Sequence, residues 1–321
     1  MEDNRFLKKS QNFIIGGFCI GYSRGRIHIR MKIPFAGMAF YQPYKGKHDL
    51  YFKIDTVEPD NSGKLLFGSS DFHIPTFLYE RENGAFDWLT QNHDGESQLS
   101  FRISKDWTEF TLYEDNTGTE GADAFHEFGS LFCYAILNYD ACVLHGVVME
   151  YNGMGILVTA ASGTGKTTHT RMWRERENAL IINGDRCLCR KLDGRWYAYG
   201  MPWSGSSGEY INRRVPITAI VCLKQAPENA VRRMNSFEGT LAMMQRIFAP
   251  VWAGDMQNKG FDLAANLASM IPVLELSCRP DFEAVDVLKE AMVLSILVYT
   301  FFSRMFDLML PPVAKHSIVV A

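Results

Sequence analysis

Between Ile156 and Thr167 the chain reads Ile-Leu-Val-Thr-Ala-Ala-Ser-Gly-Thr-Gly-Lys-Thr. An apolar run, a loop of small residues, a lysine, a hydroxyl residue and then a helix-forming stretch is an order from which a backbone can wrap an anion. Gly163 and Gly165 let the chain fold tightly, so that successive N–H groups point at phosphate oxygens. The helix that follows adds its unpaired N–H groups and the positive end of its dipole. The predicted cofactor-binding set is Ala160, Ala161, Ser162, Gly163, Thr164, Gly165, Lys166, Thr167 and Thr168. Lys166 would reach the β- and γ-phosphates of ATP, and the Thr167 hydroxyl would join a Mg2+ shell.

Ala160 stands where the G-x-x-x-x-G-K-[ST] pattern has its first glycine. The triplet G-K-[ST] alone arises by chance in roughly one chain in six of this length, and Ser162-Gly163 at the right offset lowers that to about one in a thousand. The segment is therefore read as a nucleotide site. Phosphoryl transfer also needs a carboxylate at the end of a neighbouring strand. Asp185, directly after Ile181-Ile182-Asn183-Gly184, is placed to hold the metal or to accept a proton from an attacking hydroxyl. His145 precedes the loop on an apolar strand, Glu209 follows a Ser/Gly loop and is a candidate metal ligand, and Arg213 or Arg214 would neutralise the transferred phosphate. His169 and the helix-face residues Arg174 and Arg176 are read as structural or solvated. Ten basic residues oppose five acids from Lys166 to Arg214, a local excess suited to a polyanion.

Stepping outward, 321 residues exceed what one core usually serves, so two domains are expected: 1–120, β-rich and of unassigned role, and 121–321, catalytic. A formal charge of −3 disfavours a nucleic-acid partner. Seven scattered cysteines contain no C-x-x-C pair, and Cys187-x-Cys189 suits a strand better than zinc. No signal peptide is evident, and the apolar run Ala291 to Phe302 is too short to span a bilayer, which points to a cytoplasmic protein. That run is read as core, with a contact in a homo-oligomer as its alternative.

Strands are expected at Phe13–Ile15, Ile27–Ile33, Tyr51–Ile54 and Phe110–Tyr113, and a domain boundary at Asp115–Gly121. A helix follows over Ala122–Leu137. Two β-type runs, Val143–Tyr151 and Gly155–Thr159, turn at Asn152-Gly153, and a second hairpin turns at Asp193-Gly194. Further strands are expected at Ala179–Ile182, Ile217–Leu223 and Val273–Leu276, with longer helices at Ser236–Phe248 and Phe282–Phe302. The fold class is α/β, a mixed sheet flanked by helices behind a β-rich region.

Together, Leu144-His145-Gly146, the hairpin, Ser162 to Arg171, Gly184-Asp185-Arg186 and Pro202-Trp203-Ser204-Gly205 resemble the HPr kinase/phosphorylase and phosphoenolpyruvate-carboxykinase-like P-loop superfamily. They look most like a branch distinct from true HPr kinase, whose relatives include kinases of peptide natural-product precursors. The resemblance covers about Leu144 to Leu223. It implies Mg2+- and ATP-dependent phosphorylation of a serine-like hydroxyl on a peptide, protein or small metabolite. His145, Lys166 and Asp185 fall on the family's active-site histidine, lysine and proton-accepting aspartate, Thr167 on its magnesium hydroxyl and Glu209 approximately on its second metal ligand. Gly184 replaces the first of the family's paired aspartates, and the Pro202–Gly205 loop replaces its glycine-rich signature. A carboxykinase-type enzyme acting on a small acid and a non-catalytic ATP-binding module are the alternatives.

Overall fold

The computed structural model describes residues 11–24, 40, 47–55, 61–69, 75–91, 97–113 and 121–292. The expected strand at Ile27–Ile33, the boundary before Gly121 and residues 293–302 of the last helix lie outside them. Among the described residues the first third of the chain forms one mixed sheet of β1 (Gln11–Ile15), β2 (Phe18–Arg24), β3 (Leu50–Asp55), β4 (Lys64–Ser69), β5 (Thr76–Glu80), β6 (Phe86–Gln91), β7 (Ser97–Ile103) and β8 (Glu109–Tyr113). Its order is β1-β2-β3-β8-β7-β6-β5-β4, with β3 parallel to β2 and β8. Alternate side chains such as Phe101 and Ile103, or Phe110 and Leu112, are buried on one face.

That face meets α1 (Gly121–Ala135). Phe128 of α1 lies 4.7 Å from the Phe52 ring and 5.7 Å from Phe110. On its other side it meets Trp203, which is 2% exposed and also packs on Phe132 at 5.4 Å. Gly129 permits this approach, since a Cβ there would stand 2.5 Å from the indole. One apolar core thus runs from the first sheet through α1 to the second.

The second sheet contains β9 (Ala141–His145), β10 (Val147–Tyr151), β11 (Met154–Thr159), β12 (Leu180–Asn183), β13 (Arg186–Leu192), β14 (Arg195–Tyr199), β15 (Arg214–Gln225), β16 (Ala230–Arg233) and β17 (Val273–Cys278). The twelve-residue β15 joins its two parts: Arg214 to Pro216 pair with β14, whereas Ile217 to Cys222 run parallel to β11 and Ile220 to Gln225 parallel to β17. The expected single run Val143–Tyr151 is in fact two strands in different parts of this sheet. Gly146 makes the break, and a Cβ there would stand 2.7 Å from the Val158 carbonyl. Both predicted hairpin turns form, with left-handed backbone at Asn152-Gly153 (φ 51° and 79°) and Asp193-Gly194 (φ 49° and 76°).

Helix α2 (Lys166–Glu177) follows β11, with Trp173 fully buried against it. Helix α3 (Ser236–Met244) stops short of the predicted Phe248 and starts on an Asn235–Glu238 capping box. Helix α4 (Gly254–Met270) is absent from the expected elements: no side chain caps it, and Gly260 reads as a breaker. Gly260 is there for packing, because a Cβ would stand 2.8 Å from that of Ala249. Residues 283–292 are helical. No helix among the described residues is long and apolar enough to cross a membrane.

Candidate functional site

Strand β11 ends at Thr159, and α2 begins at Lys166. The six residues between turn sharply, with Gly163 at φ 76° and Gly165 at φ 109°, backbone conformations that side-chain-bearing residues rarely adopt. Ala160 is buried at the foot of the loop, while Ala161, Ser162 and Gly163 are exposed at its crest. No side chain caps α2, so its first-turn N–H groups face the loop's concave side. Lys166 Nζ donates to the carbonyls of Ala160 (3.1 Å) and Ala161 (3.3 Å), folding the ammonium back across the loop. Arg174 and Arg176 occupy the last turn, where cations suit the negative end of the helix dipole.

A cleft of about 430 Å3 opens over this loop, lined by Ser162, Gly163, Gly165, Lys166, Thr167 and Thr168 and, from other elements, by His145, Asp185 and Ser204. His145 ends β9 and Asp185 ends the turn after β12, and Nδ1 of the one is 3.4 Å from Oδ1 of the other. Three backbone and side-chain features hold Asp185. Its carbonyl accepts from Gly146 N–H at 2.8 Å. Asn183, fully buried, accepts from the Asp185 and Arg186 amides at 3.0 and 2.8 Å and donates to the Met201 carbonyl at 2.8 Å. Gly205 lies against the carboxyl group, and a Cβ there would stand 2.6 Å from Asp185 Cγ. Asn183 was not foreseen as a site residue. Its signal was available only as an asparagine closing an apolar strand, where an amide can serve a turn.

Gly205 therefore makes a sharp prediction. Gly205→Ala must push the Asp185 carboxyl aside and also strain a residue at φ 59°. Any reaction that depends on Asp185 is expected to slow by about tenfold or more, since sub-ångström misplacement of a reacting group is costly. An unchanged rate in a folded Gly205→Ala protein would show that the carboxylate position does not matter.

Electrostatics inside the cleft follow from its crowding with cations. Burial lowers the His145 pKa, Lys166 lowers it further, Asp185 opposes, and Arg246 and Arg186 add to the lowering. Burial likewise lowers the Lys166 pKa, with Asp185 opposing and Arg246 reinforcing. The imidazole is thus biased to its neutral form at pH 7.

The other predicted residues are not brought to this cleft. Gly155 of β11 aligns with Ile217 of β15, and Thr159 with Cys222. Arg213 and Arg214 precede Ile217, so they lie beyond the opposite end of β11 from the loop, about 25 Å along the strand from the Cys222 level. There Arg213 pairs with Glu150 at 2.5 Å, and Arg214 stacks 4.9 Å from the Tyr197 ring. Glu209 does not line the cleft either. It pairs with Arg174 at 2.5 Å on the outer side of α2, and its backbone carbonyl accepts from Gly184 N–H. Gly184 itself is needed as glycine, because a Cβ would collide with the Ser207 hydroxyl and stand 2.8 Å from Ser207 Cβ.

Two other arginines lie nearer the cleft: Arg171 lines it, and the charge of Arg246 is felt by His145 and Lys166. Arg171 lines the cleft one helical turn after Thr167, an i,i+4 spacing that could have revealed it. Arg246 reaches the site because residues 246–248 run along β9: its carbonyl accepts from His145 N–H at 2.8 Å, and Phe248 N–H donates to the Val143 carbonyl at 2.9 Å. Nothing in local spacing signals a partner a hundred residues away.

His169, as expected, is structural in character. It is 1% exposed, its Nε2 accepts from Trp173 Nε1 at 3.1 Å, and burial pushes its pKa down from 6.5 to about 4. Because the unfolded chain takes up this proton first, stability falls as pH drops through 6.5 towards 4. The loss between pH 7.5 and 5 is expected to be about 2 kcal/mol from this residue. Urea titrations of the parent and His169→Gln at both pH values would check it; an equal pH dependence in the two proteins would count against it.

No family model matches the chain, and no curated protein matches it. Among solved structures it is similar to the Hpr(Ser) kinase/phosphatase from Coxiella burnetii, at 10% identity and a TM-score of 0.31, over 52% of this chain and 98% of that one. At so distant a likeness the functional reading has to come from the residues of the cleft.

Thr167 and Asp185 both line the cleft, and a hydroxyl and a carboxylate are oxygen donors of the type that Mg2+ takes. Among the described residues no group of three or more His, Cys, Asp or Glu side chains could hold a metal on its own. Mg2+ normally takes one or two protein oxygens and completes its shell with water and phosphate.

Proposed function

We propose that this protein is a Mg·ATP-dependent kinase that phosphorylates a hydroxyl group of a peptide, protein or small metabolite. The observation that carries the reading is the convergence on one cleft of a left-handed glycine loop, a lysine, a carboxylate at a strand end and a neighbouring histidine. The loop amides and Lys166 would hold the β- and γ-phosphates. Thr167 and Asp185 would hold Mg2+, which supplies charge neutralisation between the phosphates.

In the reaction the acceptor oxygen attacks the γ-phosphorus, the bond to the β-γ bridging oxygen breaks, and ADP leaves. Asp185 takes the acceptor's proton, within a setting typical of base catalysis worth 10²–10⁴-fold. Arg171, Arg246 and the neutral His145 supply hydrogen bonds and charge to the transferring group. Gly184 at a position where the family carries a second acid leaves Asp185 as the cleft's carboxylate.

The test is incubation of the full chain with γ-labelled ATP, Mg2+ and the products of neighbouring genes. Label on a serine- or threonine-type hydroxyl is expected. Oxaloacetate-dependent consumption of nucleotide would instead indicate a carboxykinase, and tight nucleotide binding with neither transfer nor hydrolysis would indicate a binding module.

A further inference from the structure

Away from the cleft, a cavity of about 650 Å3 opens where the first sheet meets the start of α4. Its walls are aromatic. Phe86 at the head of β6, Trp107 in the turn between β7 and β8, and Trp252 just before α4 all line it. The two indoles stack with their centroids 5.9 Å apart. Trp107 is held there on a left-handed backbone, φ 61°, which bulky residues rarely adopt.

Strand β4 forms one rim. Among the described residues it pairs with β5 alone, so one row of its N–H and C=O groups faces away from the sheet. Leu66 falls at the bulge in that pairing and lines the cavity, and the Phe67 ring rests 6.2 Å from Trp252. Leu66 and Trp252 each have an exposed apolar neighbour, Leu65 at 53% and Val251 at 72%. Charge on the rim also has a direction. Lys64 and Lys105 are exposed and, among the described residues, have no acidic partner. Asp106 already accepts from the Ser104 and Thr108 hydroxyls at 2.7 and 2.8 Å, and Asp255 sits in the first turn of α4, where the helix dipole favours an acid.

We propose that this edge and cavity together dock an extended polypeptide. It adds a strand to β4, seats one large apolar or aromatic side chain between Phe86, Trp107 and Trp252, and sets an acidic residue beside Lys64 or Lys105. A small apolar molecule would fill the cavity but leave the outward row of β4 unpaired. Alternate side chains of an added strand stand on the cavity side of the sheet, as Leu66 does, so a polypeptide uses both features at once. The site is separate from the nucleotide cleft and does not depend on the reading given to it.

The experiment is selection of random phage-displayed dodecapeptides on the full chain, then fluorescence-anisotropy titration of those enriched over an unrelated control protein. They are expected to share a large apolar or aromatic residue close to an Asp or Glu, and to protect β4 amides from hydrogen exchange. Gly254 lines the cavity, and a Cβ there meets open space, so Gly254→Trp fills the site without a clash. It should weaken the peptides at least about tenfold, as loss of a central contact does, with circular dichroism unchanged. Lys105→Glu should weaken them several-fold through the reversed charge. No enrichment, peptides without that consensus, or affinities unchanged in both folded variants would overturn the proposal. Displacement of the peptides by N-acetyltryptophanamide without any protection of β4 would overturn it in favour of a small-molecule site.

Discussion

Asp185→Asn protein is expected to bind Mg·ATP yet transfer phosphate at least about a hundredfold more slowly than the parent, the lower end of what a positioned base contributes. Asparagine keeps the size and the oxygen that face the cleft but cannot take a proton at neutral pH. The backbone around it should survive, because Asn183 and Gly146 hold residue 185 through its main chain. The substitution also has a signature apart from rate. Asp185 raises the His145 and Lys166 pKa values against the lowering by burial, so its neutralisation should move the His145 titration further down. Proton NMR of the imidazole would read that shift. Labelling that persists at the parent rate would remove Asp185 from the chemistry.

Lys166→Ala should have the other large effect, on both binding and transfer. Hydrogen bonds to charged groups contribute about 1.5–3 kcal/mol each, so loss of one ammonium contact to phosphate predicts a roughly ten- to hundredfold weaker ATP complex. Transfer should fall below detection in the same assay. Here the His145 shift has the opposite sign: Lys166 lowers that pKa, so its removal should raise it. Opposed shifts in the two variants would be hard to obtain unless all three groups share one cleft. Lys166→Ala protein that binds and transfers normally would leave the loop without the role assigned to it.

The loop and Asp185 were legible because their signals are local: two glycines, a lysine and a hydroxyl at fixed offsets, then an acid after an apolar run. The hairpin turns were legible for the same reason. Arg213 and Arg214 misled because counting charge along a segment ignores strand direction. In parallel strands, residues that precede β15 lie at the end of the sheet away from a loop that follows β11. Val143–Tyr151 looked continuous because both halves are apolar, although Gly146 carried the information that the chain bends there. Asn183 and Arg246 had no spacing to betray them. One works through a side-chain amide inside a turn, the other through a backbone pairing across a long sequence gap. The expected second metal ligand, Glu209, failed on competition, since an arginine of α2 claims it.

The packing of Trp203 has a consequence for anyone who would divide the chain. The indole that anchors the Ser204–Ser207 segment beside Asp185 rests on Phe128 and Phe132, and Phe128 in turn rests on Phe52 and Phe110. A shortened chain beginning at Gly121 would bare that aromatic strip to water, and it should clump or lose the alignment of its carboxylate even though every residue of the cleft is present. The leading third of the molecule is in this sense a keel: the part that carries the cleft would not stay upright without it.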